Sequence, residues 1–195
     1  MGKFISSLIF KLFGWTFKDH VGGGYNRCVM IAAPHTSNWD LVFARSAFYL
    51  MGIPVRYTVK KEWMRFPFNL VFGPLGAIAI DRSPRQPGEE RRSMTEAMIE
   101  LFSQNKELAV MLTPEGTRSL RTKWKTGFYH VAVGAKVPIA LGYLDYKNKV
   151  AGVGKIITPS GDMAKDMRAI MAFYQNIQGK HPEKFSIDLD YKPAP

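Results

Sequence analysis

Two short polar clusters interrupt long apolar runs, and each carries side chains suited to proton transfer or anion binding. The first is Pro34-His35-Thr36-Ser37-Asn38-Trp39-Asp40, in which an acid follows a histidine by five residues. A carboxylate held against one imidazole nitrogen fixes the tautomer and favours the imidazolium, so His35 and Asp40 form a candidate general base. The same residues also fit a plainer arrangement, with Asp40 capping a helix and His35 in a loop. The second cluster is Pro114-Glu115-Gly116-Thr117-Arg118-Ser119, followed by Arg121, Lys123 and Lys125. Gly116 permits a tight turn, Arg118 offers a fork for phosphate or carboxylate, and Glu115 can hold the arginine or a polar acceptor group. Taken alone, this cluster also fits a solvated basic turn.

Other routes to chemistry find less support. Cys28 sits inside an apolar run, where a thiolate is disfavoured, and as the single cysteine it has no disulfide partner. No GxSxG sequence supplies a serine elbow. Gly22-Gly23-Gly24 lacks the following Lys-Ser/Thr of a phosphate loop. His20, His130 and His181 are scattered without metal-ligand spacing, so neither a metal nor a cofactor is expected.

The elements that must position the clusters read as strands alternating with helices. Apolar runs over 28–33, 55–59, 77–80, 108–112, 138–146 and 149–157 predict strands. Helical patterns cover 39–51, 89–104, 128–135 and 162–177, with a shorter helix over 62–72 broken at Pro67. The proline-rich stretch 83–88 reads as a loop, and 180–195 as an irregular tail. His35 and Glu115 therefore each follow the end of a buried strand. This pattern predicts one α/β domain over 21–195, a mixed and mostly parallel sheet flanked by helices.

Residues 1–20 are expected to form an amphipathic helix. Phe4, Ile5, Leu8, Ile9, Leu12 and Phe13 recur at helical spacing, Lys3, Ser6, Ser7 and Lys11 fall largely opposite, and Phe10, Trp15 and Phe17 widen the apolar side. Such a helix fits a membrane interface; docking on the protein's own core is the alternative. The longest apolar stretch, 70–80, is too short to span a bilayer and is broken by glycine and proline. A net charge of +11 over 195 residues draws the chain to polyanions, either nucleic acid or an anionic membrane. Aromatics such as Trp63, Phe66 and Trp124 lie among the basic residues, but no helix-turn-helix, RRM or zinc-finger pattern accompanies them, so nucleic acid is the weaker alternative.

Taken together, His35-Thr36-Ser37-Asn38-Trp39-Asp40 and Glu115-Gly116-Thr117-Arg118 resemble the glycerolipid acyltransferase family, the lysophosphatidic acid acyltransferases and their relatives. That family's H-x-x-x-x-D and E-G-T-R blocks are separated by a block ending in arginine, matched here by residues 76–82 with Arg82. They are followed by a proline-containing apolar block, matched by Val137-Pro138-Ile139-Ala140. The resemblance spans roughly 28–145. It implies that His35 deprotonates an acceptor hydroxyl, which attacks the thioester of acyl-CoA or acyl carrier protein, and that Asp40 orients His35. Glu115, Gly116, Thr117 and Arg118, assisted by Arg82, would hold the glycerol and phosphate of a lysolipid such as 1-acyl-glycerol-3-phosphate. It also implies a hydrophobic channel for the acyl chain and a peripheral or monotopic seat on the cytoplasmic face of the cell membrane. Pro34 stands where many relatives have Asn, and Leu141-Gly142 where a second proline is common; both positions bear on acceptor or acyl preference. A lipid-binding relative without activity is the remaining alternative.

Overall fold

Strands that are apolar throughout need cover on both faces, and the chain supplies it from helices packed on either side of the sheet. The computed structural model describes residues 2–60, 64–74, 76–83, 90 and 92–193. Its strands are β1 (Thr16–Asp19), β2 (Arg27–Ala33), β3 (Val55–Lys60), β4 (Ala77–Ile80), β5 (Leu108–Leu112), β6 (Ile139–Asp145) and β7 (Val150–Ile157). Its helices are α1 (Gly2–Phe13), α2 (Trp39–Met51), α3 (Asn69–Phe72), α4 (Met94–Gln104), α5 (Gly127–Ala135) and α6 (Met163–Tyr174). The strands form one sheet in the order β1-β7-β6-β2-β5-β3-β4. β6 and β7 run antiparallel, and the other neighbours run parallel. The expected α/β domain with a mixed, mostly parallel sheet is therefore observed.

Period-two alternation in β2 divides the core. Cys28 and Met30 point to the face covered by α1 and α2, where Phe10, Phe43, Ala47 and Phe48 pack. Val29, Ile31 and Ala33 point to the other face, against Met98 and Phe102 of α4, Phe128 and Val131 of α5, and Met167, Ile170 and Met171 of α6. β2 lies between β5 and β6, with Met30 beside both Met111 and Ala140. Because these strands are parallel, the loops after β2, β5, β3 and β4 leave the same edge, where parallel α/β sheets place their ligands.

Several boundaries differ from expectation. The amphipathic segment ends as a helix at Phe13, where Gly14 takes a left-handed φ of 69°, and Thr16–Asp19 instead pairs with β7 at the sheet edge. α4 starts at Met94 because Ser93 and Glu96 form a reciprocal capping box that ends the preceding extended chain. The helix expected over 62–72 is confined to Asn69–Phe72; Glu62 and Trp63 lie outside the described residues, as do 84–89, which include most of the expected loop and the expected start of α4. α6 ends at Tyr174, and the tail contains two 3-10 turns, Pro182–Lys184 and Leu189–Tyr191.

α1 does dock on the core, but with its faces turned over. Ser6 and Phe10 are buried, and Gly2 lies against the Tyr49 ring, so small side chains let α1 approach α2. Phe10 and Trp15, expected on the apolar interfacial face, belong to the interior instead. Phe4 (75% exposed), Leu8 (58%) and Leu12 (77%) face outward, with Ile5 beside them. Only this outer part of the apolar face is exposed; Ile9 packs against the core, and the Phe13 ring meets Trp39 and Phe43.

Candidate active site

β2 carries the chain to the sheet edge, and α2 begins at Trp39, so the loop 34–38 has little freedom. This places Asp40 in the first turn of α2, where the helix dipole favours a negative charge. His35 Nδ1 lies 3.2 Å from Asp40 Oδ2. The Thr36 and Ser37 amides donate to the same oxygen at 2.8 Å each, and the Tyr146 hydroxyl donates to Oδ1 at 2.7 Å. Asp40 is only 4% exposed. Burial opposes its ionisation, but the bonds from His35, Tyr146 and the two amides outweigh it and hold the carboxyl below its usual range. With Nδ1 turned to Asp40, the opposite ring nitrogen, Nε2, is left for a substrate, and the pair can take up a proton there. Asp40 is not the helix cap of the plainer arrangement: Asn38 holds that position, and the Asp40 carboxylate, one step into the first turn, faces His35.

Glu115 follows β5, beside β2, and turns inward rather than toward solvent. At 5% exposed, it accepts the His35 amide on both carboxylate oxygens at 3.1 Å. Burial pushes its carboxyl up to about 7; the His35 amide offsets part of that rise and the Asp40 charge adds to it. Gly116 has φ 68°, a left-handed conformation that favours glycine, and the Lys125 side chain lies over it. The Lys125 amide donates to the Pro114 carbonyl at 2.8 Å, which closes the turn behind Glu115.

An open cleft of about 800 Å³ lies between the two loops, within the range of ligand sites. His35, Gly116, Thr117 and Arg118 line it, together with Leu41 and Tyr57. Arg118 is exposed and has no hydrogen bond or ion pair to the described residues. The positive charge of Lys123, by contrast, is tied to Asp190 at 2.9 Å. Arg82 is not brought into this cleft. It follows β4, three strands from β2 or about 14 Å across the sheet, and its Nε donates to the Arg92 carbonyl at 2.9 Å. A second, narrow cavity of about 70 Å³ runs from His35 and Asp40 between the sheet and α2, lined by Ala33, Ala44, Ala47, Phe48 and Met111. Tyr146, Leu41 and Tyr57 are among the site residues that the sequence did not reveal; nothing local to Tyr146 signals a contact with a residue so far back in the chain. Among the described residues no cluster of His, Cys, Asp and Glu is able to hold a metal ion.

Residues 23–140 match the family model described as Acyltransferase. The chain belongs to the acyltransferase family. The match covers both strand ends and the cleft between them. The chain is 31% identical over 121 residues to the 1-acyl-sn-glycerol-3-phosphate acyltransferase of Salmonella typhimurium strain LT2, covering 59% of this chain and 45% of the relative. The Escherichia coli K12 protein of the same name gives the same identity and coverage. The chain thus spans about half the length of the curated relatives it matches. Among solved structures, the 1-acyl-sn-glycerophosphate (LPA) acyltransferase PlsC from Thermotoga maritima shares the fold, with a TM-score of 0.50 at 16% identity, over 85% of this chain and 70% of that one.

Proposed function

We propose that this acyltransferase-family chain moves a fatty acyl group from a thioester, acyl-CoA or acyl carrier protein, to a hydroxyl of a lysolipid. The observation that carries the reading is the His35–Asp40 pair, 3.2 Å apart, opening onto a cleft whose other wall holds Arg118, which has no partner among the described residues. His35 Nε2 takes the acceptor's hydroxyl proton as its oxygen attacks the thioester carbonyl. The carbon–sulfur bond then breaks, and the imidazolium returns the proton to the departing thiolate. Asp40 stabilises the imidazolium between those steps. Gly116, Thr117 and Arg118 line the space for the acceptor's polar end, where the Arg118 fork suits a phosphate. Glu115, with its carboxylate on the His35 amide, acts from beneath the loop. The slot along α2 accepts the start of the acyl chain.

The outward face of α1 supports a seat on a membrane. Phe4, Leu8 and Leu12 form an exposed apolar row on a chain of net charge +11, and among the described residues no helix is long and apolar enough to cross a bilayer. Deleting α1 would remove Phe10 from the core, so the combined substitutions Phe4→Ser, Leu8→Ser and Leu12→Ser are the cleaner test. Partition into anionic vesicles falls at least about ten-fold if this face inserts; unchanged sedimentation with vesicles would remove it as the anchor.

The reaction itself is tested by following free thiol after mixing the protein with a long-chain acyl donor. Thiol release that requires an added lysolipid is the expected result. Release without any acceptor would make the chain a thioesterase, and none with either donor class and a broad acceptor panel would favour an idle lipid-binding relative.

A further inference from the structure

Tyr146 stands far from both motifs in sequence, yet its hydroxyl reaches the carboxylate behind His35. Asp40 Oδ2 is occupied by two amides and the imidazole, whereas Oδ1 has the Tyr146 hydroxyl alone among the described residues. The terminal torsion of an aspartate is broad, so amide bonds to one oxygen do not by themselves fix the plane of the carboxylate. A donor on the second oxygen does. From this geometry we infer that Tyr146 is a positioning residue for the His35–Asp40 pair, setting the carboxylate plane and moderating its pull on the imidazole. The role in turnover rests on the acyl-transfer reading above; the contact itself does not.

The scaffold holds Tyr146 without help from its hydroxyl. Its amide donates to the Gln178 carbonyl at 2.9 Å. Asp145 next to it fixes the turn into β7, accepting the Lys147 amide at 3.0 Å and the Asn148 side chain at 2.6 Å. The ring meets Trp15 edge-on at 4.9 Å and Phe43 at 5.9 Å, and those two stack on each other at 4.3 Å. Ring and backbone are placed by packing and by the turn, which leaves the hydroxyl's bond as a separable feature. Burial and the Asp40 charge both keep that hydroxyl protonated, so it acts as a donor throughout the working range. Among the described residues, His35 from its own loop, Tyr146 after β6 and Glu115 after β5 act on Asp40, and the tail brings Lys180 over the Trp39 ring at 5.2 Å and the His181 amide onto Thr36 Oγ1 at 3.2 Å.

The direction of the effect follows from the bond. A donor on Oδ1 draws charge from the carboxylate and weakens its hold on an imidazolium. Tyr146→Phe therefore leaves His35 more readily protonated and its ring less well aimed. In the full chain, that variant is expected to lower kcat about ten-fold, the scale of one charge-assisted hydrogen bond, with KM for donor and acceptor unchanged. The acid limb of the rate profile moves to higher pH. Replacing Tyr146 by 3-fluorotyrosine, which keeps the O–H, restores kcat and the limb. A loss shared between kcat and KM, or a kcat within two-fold of wild type, would overturn the role. A second readout needs no substrate: the downfield proton resonance of His35 Nδ1–H shifts in Tyr146→Phe and returns with fluorotyrosine. If that resonance is indifferent to both changes, the positioning role fails whatever the turnover; if it responds while no lipid is acylated, the acyl-transfer reading fails alone.

Discussion

The loops that follow β2 and β5 leave neighbouring strands at the same sheet edge, yet they are held in opposite ways. Around His35 nearly every polar group is engaged: Asp40 accepts from two amides, a tyrosine and the imidazole, and the His35 amide is taken by Glu115. Around Arg118 the chain is exposed, and the guanidinium has no partner among the described residues. A proton-transfer pair works best when its geometry is fixed before the substrate arrives, because reorganisation then adds nothing to the barrier. An anion site works best with donors still free to bind. On the function proposed above, the difference gives rate to one loop and affinity to the other. Glu115 joins them, standing in the second loop by sequence and serving the first by its bonds.

Changes in the first loop should cost turnover before affinity. His35→Ala is expected to lower kcat at least about 10³-fold, with the acceptor KM little changed and the fold intact, since His35 lies in a loop and takes little part in the core. Asp40→Asn follows at about 10²–10³-fold in kcat, because it keeps the shape and removes the charge behind the imidazole. A dominant KM effect in either variant would erase the distinction between the loops.

Glu115 sharpens the comparison through pH. Its carboxyl is raised from 4.5 to about 7 in the folded chain. Between those values the folded state holds a proton that the unfolded state has released, so this group's contribution to stability falls as pH rises from about 4.5 to 7. Above pH 7 it is flat. The span amounts to about 3 kcal/mol. Glu115→Gln cannot titrate and removes that slope, which denaturant unfolding at several pH values would show; an unaltered slope would place Glu115 in a solvated, ordinary state. Arg118→Ala carries the smallest expected effect, a rise in acceptor KM of about ten-fold with kcat retained. A lowered kcat at constant KM would move Arg118 from binding to transition-state stabilisation.

Much of this arrangement was legible in the residues because strand ends and helix starts leave local marks. The run 28–33 marked β2, Pro34 its end, and the five-residue step to Asp40 the pairing with His35. What stayed hidden depends on which side of an element meets the core. The period of α1 announced an apolar face, but not that Gly2, Ser6 and Phe10 would face α2 while Phe4, Leu8 and Leu12 look outward. The strand β1 was absorbed into the amphipathic pattern, since Thr16–Asp19 is short and exposed along its length. Glu115 read as a group for the acceptor, and only the adjacency of β2 and β5 shows its carboxylate beneath the His35 amide. Tyr146 gave no sign, because its contact depends on the β6–β7 turn coming to rest beside α2.

On the function proposed above, this cleft joins an acyl group to a lysolipid oxygen. The most direct test is mass spectrometry of the lipids after incubating the protein with a long-chain acyl donor and a panel of lysolipids on vesicles. Wild type is expected to make a new lipid, heavier than one acceptor by one acyl group, that is absent with His35→Ala. The same product at the same rate from His35→Ala, or free fatty acid in place of an acylated lipid, would contradict it.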